Sequence, residues 1–322
     1  MSLWKLRFSM VGTLALIIGA STLVFTLILW FAGIFDIITL GVIIVAINMV
    51  QWLIAPYMVD AIYKVRALPE NENPQLHQAV SGLSQKSGIK KPKLMIAQIP
   101  LPNAFAYGSP LTGNRVAVTQ GLLKNLGESE VEAVIGHELG HLKHRDVQVM
   151  MAVSLLPALF TYIGYSLMWS SMYQGNRKNE NGSSALIGIA FMAFAWVLNM
   201  FTLYLSRLRE YYADRHSAEV VDNGAQKLSM GLAKIVDSTK NLRAAQQQKQ
   251  SLAFKSLFIC DPEKAAADAE AINTMRLSSK SDLVQEILSQ KLTTEAKIVE
   301  AFSTHPNIIK RLRALQLLSK EA

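Results

Sequence analysis

The sequence predicts a mainly α-helical protein with a small β-sheet, held in a membrane by about four transmembrane helices. Apolar residues make up 51% of the 322 residues and charged residues only 17%, whereas soluble domains carry about a quarter charged residues. Four long runs contain no charged residue. Between them lie polar stretches with helical patterns and two short segments, apolar and partly β-branched, that are typical of strands.

The four uncharged runs cover residues 8–35, 37–59, 147–176 and 181–206. Each reaches the roughly 20 residues that a helix needs to cross a bilayer. The first run is too long for a cleaved signal peptide, and a second follows at once, so we interpret both as permanent anchors. For the last two runs the alternative is a pair of buried core helices, but their length and lack of charge favour membrane spans.

Basic residues beside these runs predict their orientation. They stand at the same side of every span, as Lys5 and Arg7, Lys64 and Arg66, Lys143 and Arg145, and Arg207 and Arg209. Arg177 and Lys178, between the last two spans, weaken this asymmetry without reversing it. The positive-inside rule therefore predicts a multi-pass protein of the cell membrane, with its polar segments in the cytoplasm.

The predicted organisation has four parts: two transmembrane helices in residues 8–59, a first cytoplasmic segment in 60–146, two further transmembrane helices in 147–206 and a second cytoplasmic segment in 207–322. The two polar segments are expected to fold together, because each alone is thin for a core. Within them we predict strands at 93–97 and 116–119, and helices at 74–86, 207–221, 226–237 and from near Pro306 onwards. Residues 101–113, rich in Pro, Gly and Asn, are expected to connect the two strands.

Net charge and cysteine content exclude some classes of protein. The net charge is +8, but Lys and Arg are mixed with acidic residues and form no basic strip interleaved with aromatics. We therefore expect no nucleic-acid partner and attribute the charge to the ends of the spans. Cys260, the one cysteine, cannot form an internal disulfide and lies in an apolar run, which indicates a buried structural thiol.

A metal-binding pattern lies just before the third span. His137 and His141 flank Glu138 in an H-E-x-x-H motif, on a predicted helix that opens with acidic residues. Two histidines four residues apart face the same side of a helix and can bind one zinc ion, with the glutamate as general base. The alternative, two packing histidines, leaves three buried polar groups that need partners. The motif predicts a zincin-type metallopeptidase domain fused to the membrane helices.

A catalytic zinc needs a third protein ligand. The extended metzincin pattern is absent, because His144 and Val147 stand where its Gly and His would be. His144 could be a ligand, although a surface role is favoured. Glu210 and Asp214 are four residues apart and share one helix face. One of them could bind zinc while the other orients an imidazole, but a solvated acidic face fits the spacing equally well.

Four motifs together resemble the HtpX family of membrane zinc metallopeptidases, relatives of the CAAX prenyl endopeptidases: His137–His141, Ser206-Arg207-x-Arg209-Glu210-x3-Asp214, Asn103-Ala104-Phe105-Ala106 and Thr304-His305-Pro306. The resemblance implies one zinc ion per chain, with Glu210 as third ligand and Asp214 supporting a ligating histidine. It implies that Asn103, Ala104, Phe105 and Ala106 pair with substrate backbone. It also implies that His305, with Arg311, helps to stabilise the oxyanion. Asn307 stands where the family often has a second proline.

The expected function is a membrane-bound zinc endopeptidase that acts on membrane or misfolded proteins in protein quality control, with Glu138 activating zinc-bound water. Its partners are then protein or peptide substrates and the lipid bilayer. One alternative is a CAAX-type prenyl protease, a class that the resemblance associates with more membrane spans. Another is a non-catalytic membrane scaffold that binds zinc, which would usually provide four ligands rich in cysteine.

Overall fold

The computed structural model describes residues 37–173, 181–245 and 280–321. The predicted first span, residues 8–35, and Cys260 lie outside these ranges. The helices are α1 (Ile37–Tyr63), α2 (Pro74–Ser87), α3 (Gln120–Asn125), α4 (Glu128–Lys143), α5 (Asp146–Tyr173), α6 (Asn181–Val220), α7 (Gly224–Ala245), α8 (Lys280–Ser289), α9 (Thr294–Ala301) and α10 (Ile308–Glu321). The strands are β1 (Val65–Ala67), β2 (Lys93–Ala97), β3 (Ala104–Ser109) and β4 (Gly113–Thr119). The predicted mainly helical fold with a small sheet is confirmed.

Three helices within the described residues are long and apolar enough to cross a membrane: Gly41–Tyr63, Asp146–Ser171 and Ala185–Val220. The last belongs to α6, a continuous helix of 40 residues. The sequence predicted a span ending at Ser206 and a helix starting at Arg207, and these two elements are one helix. No Pro or Gly stands at their junction to interrupt it.

The chain divides into two compact units. One contains residues 1–51 and 151–202, and the other contains 52–150 and 203–322. The predicted boundaries between membrane and cytoplasmic parts, at residues 59, 146 and 206, stay a prediction. The two units are groups of residues in contact, and they do not show where a membrane would end. All side chains of the candidate site described below belong to the second unit.

The sheet of the second unit has the strand order β1-β2-β4-β3. Strands β2 and β4 are parallel, while β1 pairs antiparallel with β2 and β3 pairs antiparallel with β4. The sequence predicted β2 and the end of β4 but not β1, which has only three residues. In the region of β3 the composition indicated a connection, while the resemblance implied that Asn103-Ala104-Phe105-Ala106 pairs with substrate as an edge segment. Strand β3 lies at one edge of the sheet, and this position matters for the site.

The core of the second unit lies between the sheet and helices α2, α4, α7 and α10. Its fully buried side chains include Leu83, Ile135, Leu139, Leu228, Leu232, Leu312 and Leu315. Local signals define helix α2: Asn73 caps it by accepting a hydrogen bond from Leu76 N, and Pro74 occupies its first turn. Gly88 then ends it in the left-handed conformation, with φ of 68°.

The C-terminal helix begins two residues later than predicted. Helix α10 starts at Ile308, and the Asn307 side chain accepts a hydrogen bond from Ile309 N at 2.9 Å. Asn307 therefore caps the helix, which its short polar side chain favours. Pro306 precedes the cap instead of opening the first turn, so neither Thr304 nor His305 caps α10.

Candidate metal centre

Helix α4 carries the H-E-x-x-H motif in its last two turns. His137 is fully buried and His141 is half-buried. Their Nε2 atoms lie 3.1 Å apart, and the two rings meet nearly at right angles. Residues four apart on a helix are neighbours on one face, so the local sequence is sufficient to bring these two nitrogens to a common point.

Two glycines allow α6 to approach the same face of α4. A Cβ at Gly140 would lie 3.0 Å from Ala213 Cα, and one at Gly136 would lie 3.1 Å from Ser217 Oγ. Both separations are tighter than ordinary van der Waals contacts, so the absence of side chains permits the approach. Ser217 Oγ also donates to Ala133 O at 2.6 Å, which ties the helices together.

Glu210 completes a group of three metal-ligating side chains. Its Oε2 lies 3.6 Å from His137 Nε2, and its Oε1 lies 3.5 Å from His141 Nε2. One atom from each of the three residues falls within 4.8 Å of the others. Zinc–ligand bonds of about 2.0–2.1 Å arranged tetrahedrally place ligand atoms about 3.3 Å apart, so the observed spacings fit a zinc ion.

The Glu210 carboxylate supports the same conclusion. Oε2 is buried and accepts no hydrogen bond from the described residues. Its cationic neighbour is Arg311, whose Nη1 lies 3.2 Å away. A buried carboxylate oxygen without a hydrogen bond is unfavourable unless a charge or a metal compensates it. The donor set therefore suits a divalent cation.

Each candidate ligand imidazole is held from behind by an aspartate. Asp146 Oδ2 accepts a hydrogen bond from His141 Nδ1 at 2.6 Å. Asp214 Oδ1 lies 2.9 Å from His137 Nδ1 and makes an electrostatic contact with it. A carboxylate at Nδ1 fixes the tautomer in which Nε2 faces the metal.

Glu138 faces the edge of the sheet. It is buried, and its Oε2 accepts a hydrogen bond from Ala106 N of β3 at 2.7 Å. Asn103 O accepts a hydrogen bond from Thr119 N of β4. Because every second residue of an antiparallel strand bonds to the same neighbouring strand, the main-chain groups of Phe105 also point towards β4. The main-chain groups of Ala104 and Ala106 consequently point to the open edge, next to the carboxylate of Glu138.

Comparison with known proteins adds to this geometry. The family model of peptidase family M48 matches residues 70–319, most of the chain, including every residue of the candidate centre.

The chain belongs to peptidase family M48.

Curated relatives of this M48 member carry the name Protease HtpX homolog. That of Thermoplasma acidophilum is 38% identical over 86% of this chain and 84% of its own length. Protease HtpX homolog 2 of Sulfurisphaera tokodaii is 35% identical over 98% and 97%. The crystal structure of S. mikatae Ste24p matches with a TM-score of 0.56 and 17% identity, covering 97% of this chain and 66% of that one. At this identity the likeness shows the fold alone.

Sequence reasoning did not identify two residues, Asp146 and Arg209, as part of the candidate metal centre. Asp146 lies five residues after His141. From sequence alone it is an acidic residue in the first turn of α5, a common position that indicates no contact with the metal centre. Arg209 forms an ion pair with Asp146 and donates from Nη1 to Asp146 O at 3.0 Å. Arg209 belongs to the segment that carries the resemblance, which was the available signal.

Arg311 contacts Glu210 and Asp214 of α6. It is buried, with Nε and Nη2 donating to the two oxygens of Asp214 at 2.9 and 2.5 Å, while Nη1 faces Glu210. These are the contacts of a residue that holds carboxylates, since a guanidinium matches a carboxylate in two parallel hydrogen bonds. Its implied role beside the oxyanion stays a prediction.

His305 lies in the loop between α9 and α10, with Nδ1 3.1 Å from Glu210 Oε1. Arg207 holds this loop, because its Nη1 donates to the carbonyls of Glu300, Ala301 and Ser303 at 2.8–3.0 Å. The structure thus brings His305, remote in sequence, to Glu210, the third candidate ligand.

Neither His144 nor His216 belongs to the group of candidate ligands. His144 is largely exposed at the end of α4, and the partial desolvation of its ring, together with the charge of Lys143, lowers its pKa. The buried His216 bonds through Nε2 to Ser87 Oγ at 2.9 Å, a structural role that explains its burial.

Proposed function

We propose that this chain is a membrane-bound zinc endopeptidase that hydrolyses peptide bonds of membrane or misfolded proteins in protein quality control. Membership of family M48 and the HtpX protease relatives support a membrane metalloprotease. The observation that carries the proposal is the convergence of His137, His141 and Glu210 beside Glu138 at an open strand edge.

In this proposal His137, His141 and Glu210 hold one zinc ion. When bound, zinc polarises a carbonyl oxygen and lowers the pKa of coordinated water to about 7. Glu138 accepts the proton of the attacking water, and its bond to Ala106 N fixes the carboxylate beside the strand. Asp214, Asp146 and Arg311 keep the imidazoles and Glu210 in position.

The substrate is proposed to lie extended along β3 as an added strand. Ala104 can then pair with the substrate through both main-chain groups, and Ala106 through its carbonyl, because Ala106 N is bonded to Glu138. The main-chain groups of Asn103 and Phe105 pair with β4, so these two residues hold the edge strand in place and leave substrate pairing to Ala104 and Ala106. The Phe105 ring packs on the rings of Tyr63 and Tyr107, and these contacts support β3.

Metal removal tests this function. The purified protein should cleave unfolded casein, lose this activity when a chelator removes the metal, and recover it with one equivalent of zinc per chain. A scaffold would bind zinc and cleave nothing at any zinc concentration. A CAAX-type protease would cleave a prenylated peptide but not casein or the same peptide without its lipid.

His305→Ala is expected to retain zinc, leave KM little changed and lower kcat by about 100- to 1000-fold, as loss of an oxyanion donor does. The motivation is the position of the buried ring beside Glu210. Zinc content, KM and kcat are the measurements, and His144→Ala, a histidine outside the group of ligands, is the control. Near-normal kcat would leave His305 a structural residue, and zinc loss would assign it to metal binding.

We also propose that the polar segments 60–146 and 207–322 face the cytoplasm and that the protein lies in the cell membrane. Single cysteines at positions 86 and 280 should resist an impermeant thiol reagent in intact cells, while one at position 177 should react, in a background where Cys260 is replaced. Labelling at position 280 would contradict this orientation.

A further inference from the structure

A cavity of about 390 Å³ opens beside the candidate metal centre, within the second unit. Three parts of the chain surround it: the end of α2 with the residues that follow, the neighbouring ends of β3 and β4, and the turn between α4 and α5. His141, a candidate ligand, lies in its wall together with Tyr107 and Gly108 of the edge strand. The cavity therefore adjoins both the metal centre and the strand that would pair with a substrate.

The wall of this cavity carries one sign of charge. Lys90, Lys143 and Arg145 line it, and none of its lining residues is acidic. Among residues 37–173, 181–245 and 280–321, no carboxylate forms an ion pair with any of these three side chains. Some other cations of the unit are paired, as Lys234 is with Glu130 and Lys310 with Glu300.

The backbone contributes to this arrangement. Arg145 has a φ of 54°, a left-handed conformation that is uncommon for residues other than Gly and Asn. It forms the tight turn between α4 and α5, and it lies in the cavity wall with Lys143. Gly88, also left-handed, ends α2 and leads to Lys90. The three charges thus come from two segments of the chain, the residues after α2 and the turn between α4 and α5, which line one space.

The edge strand connects this space to peptide binding. Glu138 is bonded to Ala106, and Gly108 follows two residues later, about 7 Å along the strand. A substrate strand beside β3 with its cleaved bond at the metal would bring a residue about two positions away to the cavity. We propose that the cavity is a substrate subsite for an acidic side chain, Asp or Glu, close to the cleaved bond. This inference rests on the proposed peptidase function.

Quenched fluorescent peptides provide the test. One series carries Glu, Gln or Lys in turn at each of the three positions on either side of the cleaved bond. Zinc-loaded wild-type protein should prefer Glu to Gln at one position by about 3- to 10-fold in kcat/KM, the range expected for partly exposed charges. The preference should decline as ionic strength rises.

The Lys143→Gln/Arg145→Gln double variant should reduce this Glu/Gln ratio to within about twofold of unity, and Lys90→Gln should reduce it in part. Lys124→Gln, an exposed lysine of α3 outside the cavity, is the matched control and should keep the wild-type ratio. If the double variant does not fold, Lys90→Gln and the salt dependence decide the question. A ratio near one at every position in wild type, or a preference that survives in the cavity variants, would overturn the subsite.

Failure of the peptidase function is distinguishable from failure of the subsite. If wild type cleaves no peptide, the affinities of the same labelled peptides for Glu138→Gln protein test the subsite independently of cleavage. Tighter binding of the acidic peptide that is lost in the cavity variants supports the subsite, and equal binding overturns it. Reconstitution into bilayers with and without phosphatidylglycerol separates a membrane role: an effect of the anionic lipid on activity that is lost in the double variant, without any change in peptide preference, would also overturn the proposal.

Discussion

Glu138→Gln is expected to abolish peptide cleavage and leave zinc bound. The amide cannot accept the proton of the attacking water, and loss of a general base costs about 100- to 10,000-fold in turnover. Because glutamine has nearly the same shape, its carbonyl oxygen can still accept the hydrogen bond from Ala106 N. The fold and the metal site should therefore persist. Zinc content by mass spectrometry and the casein cleavage rate are the measurements.

The matched control is Glu132→Gln on the same helix. Glu132 is half-exposed and pairs with Lys227 at 3.6 Å, so its replacement removes a carboxylate from α4 without touching the centre. It should keep both zinc and turnover. Zinc loss in folded Glu138→Gln protein would indicate that Glu138 is a ligand, and residual cleavage close to wild type would exclude it as the base.

Glu210→Gln is expected to remove most of the bound zinc, and with it the activity. An amide is a much weaker zinc ligand than a carboxylate, and the ligand count would fall from three to two. Asp214→Asn and Asp146→Asn should weaken zinc by about 10- to 100-fold each, because these side chains only orient the imidazoles of His137 and His141. Isothermal titration with zinc, after removal of metal, measures all three variants.

Asn is preferred to Ala at position 214, because Ala would remove both acceptors of Arg311 Nε and Nη2, whereas Asn keeps one side-chain oxygen. Breaking a buried ion pair in that way costs about 3–5 kcal/mol of stability and would confuse zinc loss with unfolding. Glu219→Gln is the control on α6, since Glu219 is exposed and pairs with Arg215 one turn away. Complete zinc loss on changing Asp214, with Glu210→Gln harmless, would reverse the two assignments.

The local features of this protein follow from its sequence. Asn73, Pro74 and Gly88 define α2 because capping and backbone preferences act within a few residues. The apolar runs predicted membrane-length helices because length and hydropathy suffice for that inference. His137 and His141 share a face for the same local reason, the helical repeat.

Other features depended on how distant segments pack. From their spacing alone, Glu210 and Asp214 were equally good candidates for the third ligand. The contact of α6 with α4 at Gly136 and Gly140 places Glu210 beside the Nε2 atoms of the two histidines. The same packing gave Asp214 to His137 and Arg311, contacts between segments far apart in the chain. No periodicity within one helix encodes such distances.

The edge strand shows the same division between local and tertiary information. The sequence placed a connection rich in Pro, Gly and Asn at residues 101–113, and only pairing with β4 made part of it a strand. Ala106 then reaches Glu138 across 32 positions of the chain. Helical repeats, caps and apolar length are short-range properties that a sequence states directly. The partner of each buried carboxylate was decided by the tertiary structure, because buried polar groups are satisfied by whichever side chains the packing brings within reach.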